Sequence, residues 1–352
     1  MLKKLSIMVV VYALSASLIA CSNEQGGSAG QDKPQKLTVV DWDANTVGYR
    51  KVPVYEAFEK KYNVKIDIET PPDYGKLKAM VDSGNVTWDV VNVDSFYGKL
   101  AGQQGQFEPL DYSIIKKDGY DDQTATANYI ASESFATVMS WNSKKIDAAH
   151  APKTWADFWD LKKFPGGRSA YRFPAPSMEM ALIADGVPAD KLYPLDVERA
   201  LKKLNEIKKE MKTWWTSGAQ VPDLLTNGTA VLSTAYDGTL AEQKRKGAPV
   251  DFTYENAFRS YEGWVIPKGT KNKDLAMKFI AFATSEEVQL EYGKNSDYAP
   301  ANQKAIAKLS EADKKRLGVT PELQKIQFGA GDDYWIENFD KVQERFEQWL
   351  LE

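Results

Sequence analysis

The sequence predicts a two-lobed α/β protein with a cleft between its lobes. Three observations carry this. The chain has 352 residues, too many for one small core and about right for two domains. Strand-like and helix-like patterns alternate from Leu37 to Ser95, which builds a lobe on a mainly parallel sheet. A second series of the same kind follows, and the β-rich run Trp264-Val265-Ile266 then returns the chain to the first.

Leu37 to Trp42 is a short buried strand. Val54 to Tyr62 has helical spacing, with Val54, Phe58 and Tyr62 on one face. Val64 to Ile68 alternates as a strand does, Tyr74 to Val81 reads as a helix, and Trp88 to Val93 is another strand before a short helix from Ser95. In the second series Phe135 to Asn142 is β-rich, and Thr154 is the N-cap of a helix through Trp159. Ser169 to Phe173 is a strand and Ser177 to Ala184 a helix. Val197 to Met211 is an amphipathic helix with Val197, Ala200, Leu201, Leu204 and Ile207 on one face. A further helix ends at Thr226 and is followed by Ala230 to Tyr236. Asn272 to Ser285 is strongly helical. Tyr334 to Trp349 is a helix whose Trp335, Phe339, Val342, Phe346 and Trp349 recur at spacings of 3 and 4, a core stripe against the second lobe. The first lobe is thus expected at 37–139 plus 263–300, and the second at 140–262 plus 301–352.

The N-terminus carries an address. Met1-Leu-Lys-Lys is a basic region, and Leu5 to Ala20 is apolar but short for a membrane span. Residues 1–20 therefore read as a secretory signal peptide. Leu18-Ile19-Ala20-Cys21 resembles a bacterial lipobox, which implies cleavage before Cys21 and lipidation there, enough to anchor the chain at the outer face of a membrane. Residues 21–36, rich in Gly, Ser and Gln, are a flexible tether.

Composition removes several function classes. Cys21 and His150 are the chain's single Cys and His, so a disulfide framework and a His/Cys metal cluster are both excluded. A Ser-His-Asp triad has only His150 to use, in the polar loop Asp147–Pro152. The net charge is −4 and no basic run occurs, which speaks against nucleic acid. No cofactor is implied.

Ligands of such sheets sit beyond the carboxyl ends of the strands. Those ends bring forward Trp42 with Asp43, and Asp94 with Ser95. Glu262, beside Tyr261 at the mouth of the Trp264 run, is a charge that needs a partner. It either faces the cleft and meets a ligand, or lies on the surface, or pairs with Arg259.

Val40-Asp-Trp42, Trp214-Trp-Thr-Ser-Gly-Ala-Gln220, Ala235-Tyr-Asp-Gly238, Tyr261-Glu-Gly-Trp-Val-Ile-Pro-Lys-Gly269 and Tyr334-Trp335 give the chain its resemblance. From Leu37 to Glu352 it resembles the extracellular solute-binding proteins of ABC importers, in the spermidine/putrescine-binding group. The resemblance implies a periplasmic-binding-protein-like fold that closes on one solute and presents it to a membrane permease. It implies ligand contacts for Trp42, Ser95, Glu262, the Tyr236-Asp237 pair, and Ser217 and Gln220. A monomer that binds a small amine-bearing solute is expected. Aromatic rings would hold its methylenes and carboxylates its ammonium groups.

The chain departs from that group at Tyr171-Arg-Phe173, where Arg172 stands in place of carboxylates. That suits a solute with one amine and one acidic group, amino-acid-derived or opine-like, unless Arg172 forms a surface salt bridge. A hydrolase that uses Asp237 and Glu262 across the cleft is the alternative of another class. A sensory lipoprotein on the same fold is a third.

Overall fold

The computed structural model describes residues Gln35–Glu352. The signal peptide, Cys21 and nearly all of the tether lie outside the described residues.

The main strands are β1 (Gln35–Val40), β2 (Val64–Glu69), β3 (Val90–Asp94), β4 (Ile130–Asn142), β5 (Arg168–Tyr171), β6 (Met211–Trp215), β7 (Leu232–Tyr236) and β8 (Val250–Val265). Two-residue strands β9 (Ala299–Pro300) and β10 (Phe328–Gly329) sit beside β4 and β8. The sheet order is β2-β1-β3-β8-β4-β7-β5-β6. β1 runs parallel to β2 and β3, and β5 runs parallel to β6 and β7. Between these parallel sets lie β4 and β8, antiparallel to one another from Ile130↔Trp264 to Asn142↔Val250. The two long strands join the lobes of a two-domain, periplasmic-binding-protein-like fold.

Burial explains the elements. β3 is buried along Val90-Val-Asn-Val93, as expected of a strand covered on both faces. Leu37, Val39, Val54, Phe58, Ile66, Trp264 and Phe279 share one core, and Met180, Leu201, Leu204, Leu232, Phe346 and Trp349 share another at the opposite end. Thr154 caps its helix reciprocally with Asp157.

Several elements differ from the sequence reading. The helix expected from Val54 begins at Ala44, where the Asp43 carboxylate accepts from Thr46 N at 2.8 Å. It passes through a π-helical stretch, Lys51–Glu56, which contains Pro53. Pro53 lacks an N–H, so a wider turn spares one bond of the regular ladder. The helix expected to reach Met211 ends at Asn205. Lys208–Glu210 form a 3-10 turn, and Met211 opens β6, where Thr213, Trp214 and Trp215 favour strand. The Trp264 run is only the end of the 16-residue β8. A helix at Asp237–Arg245 had no counterpart in the sequence reading.

Candidate functional site

The carboxyl ends of β1, β3, β5 and β7 converge on a cavity of about 650 Å3, lined there by Trp42, Asp94, Tyr171 and Tyr236. Its size suits a small organic solute, for which pockets of roughly 300–1,000 Å3 are usual.

One side of the cavity is acidic. On β8, Glu262 is the cross-strand partner of Asp94 on β3 and of Glu133 on β4. All three carboxylates line the cavity. A register shift between Ala131 and Glu133 leaves Ser132 as the extra residue and turns Glu133 toward the cavity. Ser132 Oγ donates to the Glu262 carbonyl at 3.1 Å. The close approach of β8 to β4 also requires Gly263, because a Cβ there would lie 2.4 Å from Ile130 O and 2.5 Å from the Tyr129 ring.

Behind this row is one buried cation. Arg50 pairs with Asp41, reaches Glu133 at 3.1 Å and lies 4.7 Å over the Trp264 ring. Glu133 also accepts from the Tyr292 hydroxyl. Asp94 accepts from Tyr74 Oη at 2.7 Å. Burial pushes the Asp94 carboxyl up to about 6, and the charge of Asp332 adds to this against the Tyr74 bond. Glu262 is held well above the ordinary carboxylate range by burial and by the neighbouring Glu133 carboxyl. Burial also raises Glu133, against the pull of Arg50.

The other side is aromatic. Tyr171 stacks on Trp215 at 4.6 Å, and Tyr236 meets the same ring edge-on at 5.2 Å. Phe173 and Phe96 flank Phe339 at 5.5 and 5.0 Å. Near β1, the Trp42 indole N–H donates to Asn92 Oδ1 at 3.1 Å, and Tyr74 stacks on Tyr97 at 3.6 Å. Among the described residues that line the cavity there is no Lys or Arg.

Contacts also cross between the lobes. Asp332, at the start of the C-terminal helix Asp332–Leu351, accepts from Ser95 Oγ at 2.9 Å and Lys99 Nζ at 2.7 Å. Its second oxygen, Oδ1, is buried and unpartnered among the described residues. Elsewhere on the molecule Asp297 accepts from Tyr49 Oη at 2.9 Å and pairs with Arg245.

The structure brings together Trp42, Asp43, Ser95, Tyr236, Tyr261 and Glu262 around the cavity. Four expected residues lie elsewhere. Arg172 points away from the cavity and bonds Glu347 at 2.6 Å, with a side chain 44% exposed. Alternation along the chain places its neighbours Tyr171 and Phe173 in the cavity instead. Ser217 and Gln220 are exposed and form the capping box of a single 3-10 turn. Asp237 lies behind the wall. It accepts from Ala136 N and Gly238 N, both at 2.9 Å, and burial lifts it to about 6. Asp237 and Glu262 therefore do not face each other across a cleft, which removes the hydrolase arrangement. Trp335 and Phe339 of the C-terminal stripe line the cavity as well as the core.

Sequence reasoning missed Glu133, Tyr171 and Asp332 as cavity residues, and brought Asp94 forward only as the end of β3.

Two α/β lobes around an acidic and aromatic cavity define a binding protein that takes up one small solute. The chain belongs to the bacterial extracellular solute-binding proteins, whose family model matches residues 54–317. Proteins of this kind bind a solute outside the cytoplasm and deliver it to the permease of an ABC importer. The chain is 32% identical to a gamma-aminobutyric acid-binding protein of Pseudomonas aeruginosa over 92% of this chain and 93% of that one. A solved GABA receptor structure shares 37% identity at a TM-score of 0.82, over 90% of this chain and 98% of that one. The AgtB binding protein of A. tumefaciens, solved with agropinic acid, shares 30% at 0.81, over 90% and 99%. The spermidine/putrescine-binding protein of Salmonella typhimurium is 22% identical over 78% of this chain and 81% of that one. The family is therefore the broader one, and membership of the polyamine group is not carried over.

Proposed function

We propose that this protein captures a small primary amine, with Glu262 and Asp94 as acceptors of its ammonium group. The row Asp94–Glu262–Glu133, facing aromatic rings in a cavity whose described lining holds no Lys or Arg, carries this reading. A buried carboxylate is a strong charge-assisted acceptor, and Trp42, Tyr74, Tyr171 and Tyr236 supply π faces for the desolvated cation.

The solutes named for the relatives make a zwitterion the first choice. A short ω-amino acid places its amine at the acidic row and its carboxylate toward the hydroxyls of Tyr171 and Tyr236. Arg172 takes no part. A diamine is the second reading, favoured by Asp332 and Asp340 at the cavity and by the free Asp332 Oδ1. Calorimetric titration of the body from Gln35 with GABA, putrescine and spermidine separates them. Binding of GABA alone supports the zwitterion, tighter binding of putrescine supports the diamine, and binding of neither at millimolar concentration overturns the amine reading.

The lobes close by bending of the paired strands β4 and β8 that join them. The protein acts as a monomer held at the cell envelope by lipid on Cys21. Loss of membrane association in Cys21→Ala tests the anchor, and unchanged solute uptake after loss of the protein favours a sensory output over transport.

A further inference from the structure

The acidic row is short of counter-charge. Cross-strand partners share a face with Cβ atoms about 4.5–5.5 Å apart, so Asp94, Glu262 and Glu133 enter one cavity from three adjacent strands. Arg50 is the only cation in contact with the row among the described residues, and it divides its charge between Glu133 and Asp41. From β3, Asp94 is met by a neutral phenol, Tyr74. Tyr292, from helix Glu286–Asn295, donates to Glu133. Asp43 lies on the β1 side, Tyr171 and Tyr236 face the row from β5 and β7, and Asp332 adds a further negative charge beside Asp94. Like charges held opposite one another repel, and in a partly dry site little screens them.

We propose that the empty row holds one proton shared between Glu133 and Glu262, and that the ammonium of an incoming amine takes its place. This rests on the amine reading above. In the empty protein the Glu262 carboxyl is protonated and donates to the Glu133 carboxylate. When R–NH3+ arrives, the O–H bond of Glu262 breaks, the proton leaves to solvent and the Glu262 carboxylate accepts from the ammonium. Charge and protons balance with no other reactant. Binding then strengthens as pH rises, and acidification unloads the site. The upward displacement of both acids by burial agrees with this.

The test is calorimetric titration with GABA and with putrescine at pH 7, each in phosphate and in Tris. The apparent enthalpies differ in proportion to the protons exchanged. About one proton released per amine bound is expected, and Glu133→Gln should bring the count toward zero. Amine binding by the wild type with no proton release overturns the proposal and leaves the amine reading standing. If neither amine binds, the amine reading fails, and the row is read without solute by urea denaturation between pH 5 and 8. Wild type then loses stability as pH rises more steeply than Glu262→Gln does. Equal slopes overturn the shared proton.

Discussion

The two walls of the cavity do different jobs with different parts. The wall on β3, β8 and β4 is acidic, and its side chains stand on the middle strands of the sheet, where backbone register fixes their spacing. The wall at the ends of β5 and β7 is aromatic, with Tyr171 and Tyr236 leaning on Trp215. Glu133 and Glu262 lie inside long paired strands, which suits charge, because an ammonium rewards acceptors held to fractions of an ångström. Strand ends suit shape, because loops there change without disturbing the sheet. On the amine reading proposed above, the difference assigns affinity for the ammonium to the first wall and fit to the rest of the solute to the second.

The sharpest way to break this comparison is Arg50→Met. It leaves Asp41 and Glu133 buried without their cation, and urea denaturation should show a loss of about 3–5 kcal/mol. A loss below about 1 kcal/mol would mean that water already reaches the row. Next is Glu262→Gln, expected to weaken binding of the amine by ~2–5 kcal/mol in a calorimetric titration. An unchanged affinity removes the acidic wall from recognition. On the aromatic wall, Tyr236→Leu keeps bulk but removes the π face, and about 0.5–2 kcal/mol of affinity should go. If its effect equals that of Glu262→Gln, the division of labour fails.

Stability should also depend on pH. Asp94 and Asp237 are raised to about 6 and Glu179 to about 7, mainly by burial. Their pKa values in the folded state exceed the unfolded ones, so between these values the native state binds more protons. Stability contributed by these groups is therefore present at low pH and lost as pH rises from about 4 toward 7. Denaturation midpoints for the solute-free protein that rise between about pH 5 and 7, above the range in which the paired surface acids titrate, would contradict the raised pKa values of these acids. The smallest effect is expected for Arg172→Ala, within about 0.5 kcal/mol for binding, because its exposed pair with Glu347 lies off the cavity.

Much of the scaffold was legible because apolar periodicity reports burial directly. Leu37, Val39 and Val90 to Val93 read as buried strands, and the stripe from Trp335 to Trp349 read as a helix. The strand-end rule located Trp42, Asp43 and Ser95 without help from tertiary structure. Glu262 was legible as a misplaced charge, but its partners were not. Glu133 sits in Ser132-Glu133-Ser134, which looks like loop, and only a bulge in β4 brings it beside Glu262. Register between strands far apart in sequence leaves no local trace. Asp237, Ser217 and Gln220 belong to motifs that resemble site residues yet serve backbone amides at turns and helix starts. Arg172 shows the cost of reading a short strand without its pleat.

Asp332 ties one lobe to the other beside the cavity. Ser95 and Lys99 belong to the helix after β3, whereas Asp332 belongs to a helix whose Trp335, Phe346 and Trp349 are sunk in the other lobe. The Lys99–Asp332 pair is almost fully enclosed, with side chains 9% and 10% exposed, so dissolved salt screens it little. Parting the lobes breaks this enclosed pair, so any solute release that needs the lobes to part carries the cost of separating it, at high salt as at low.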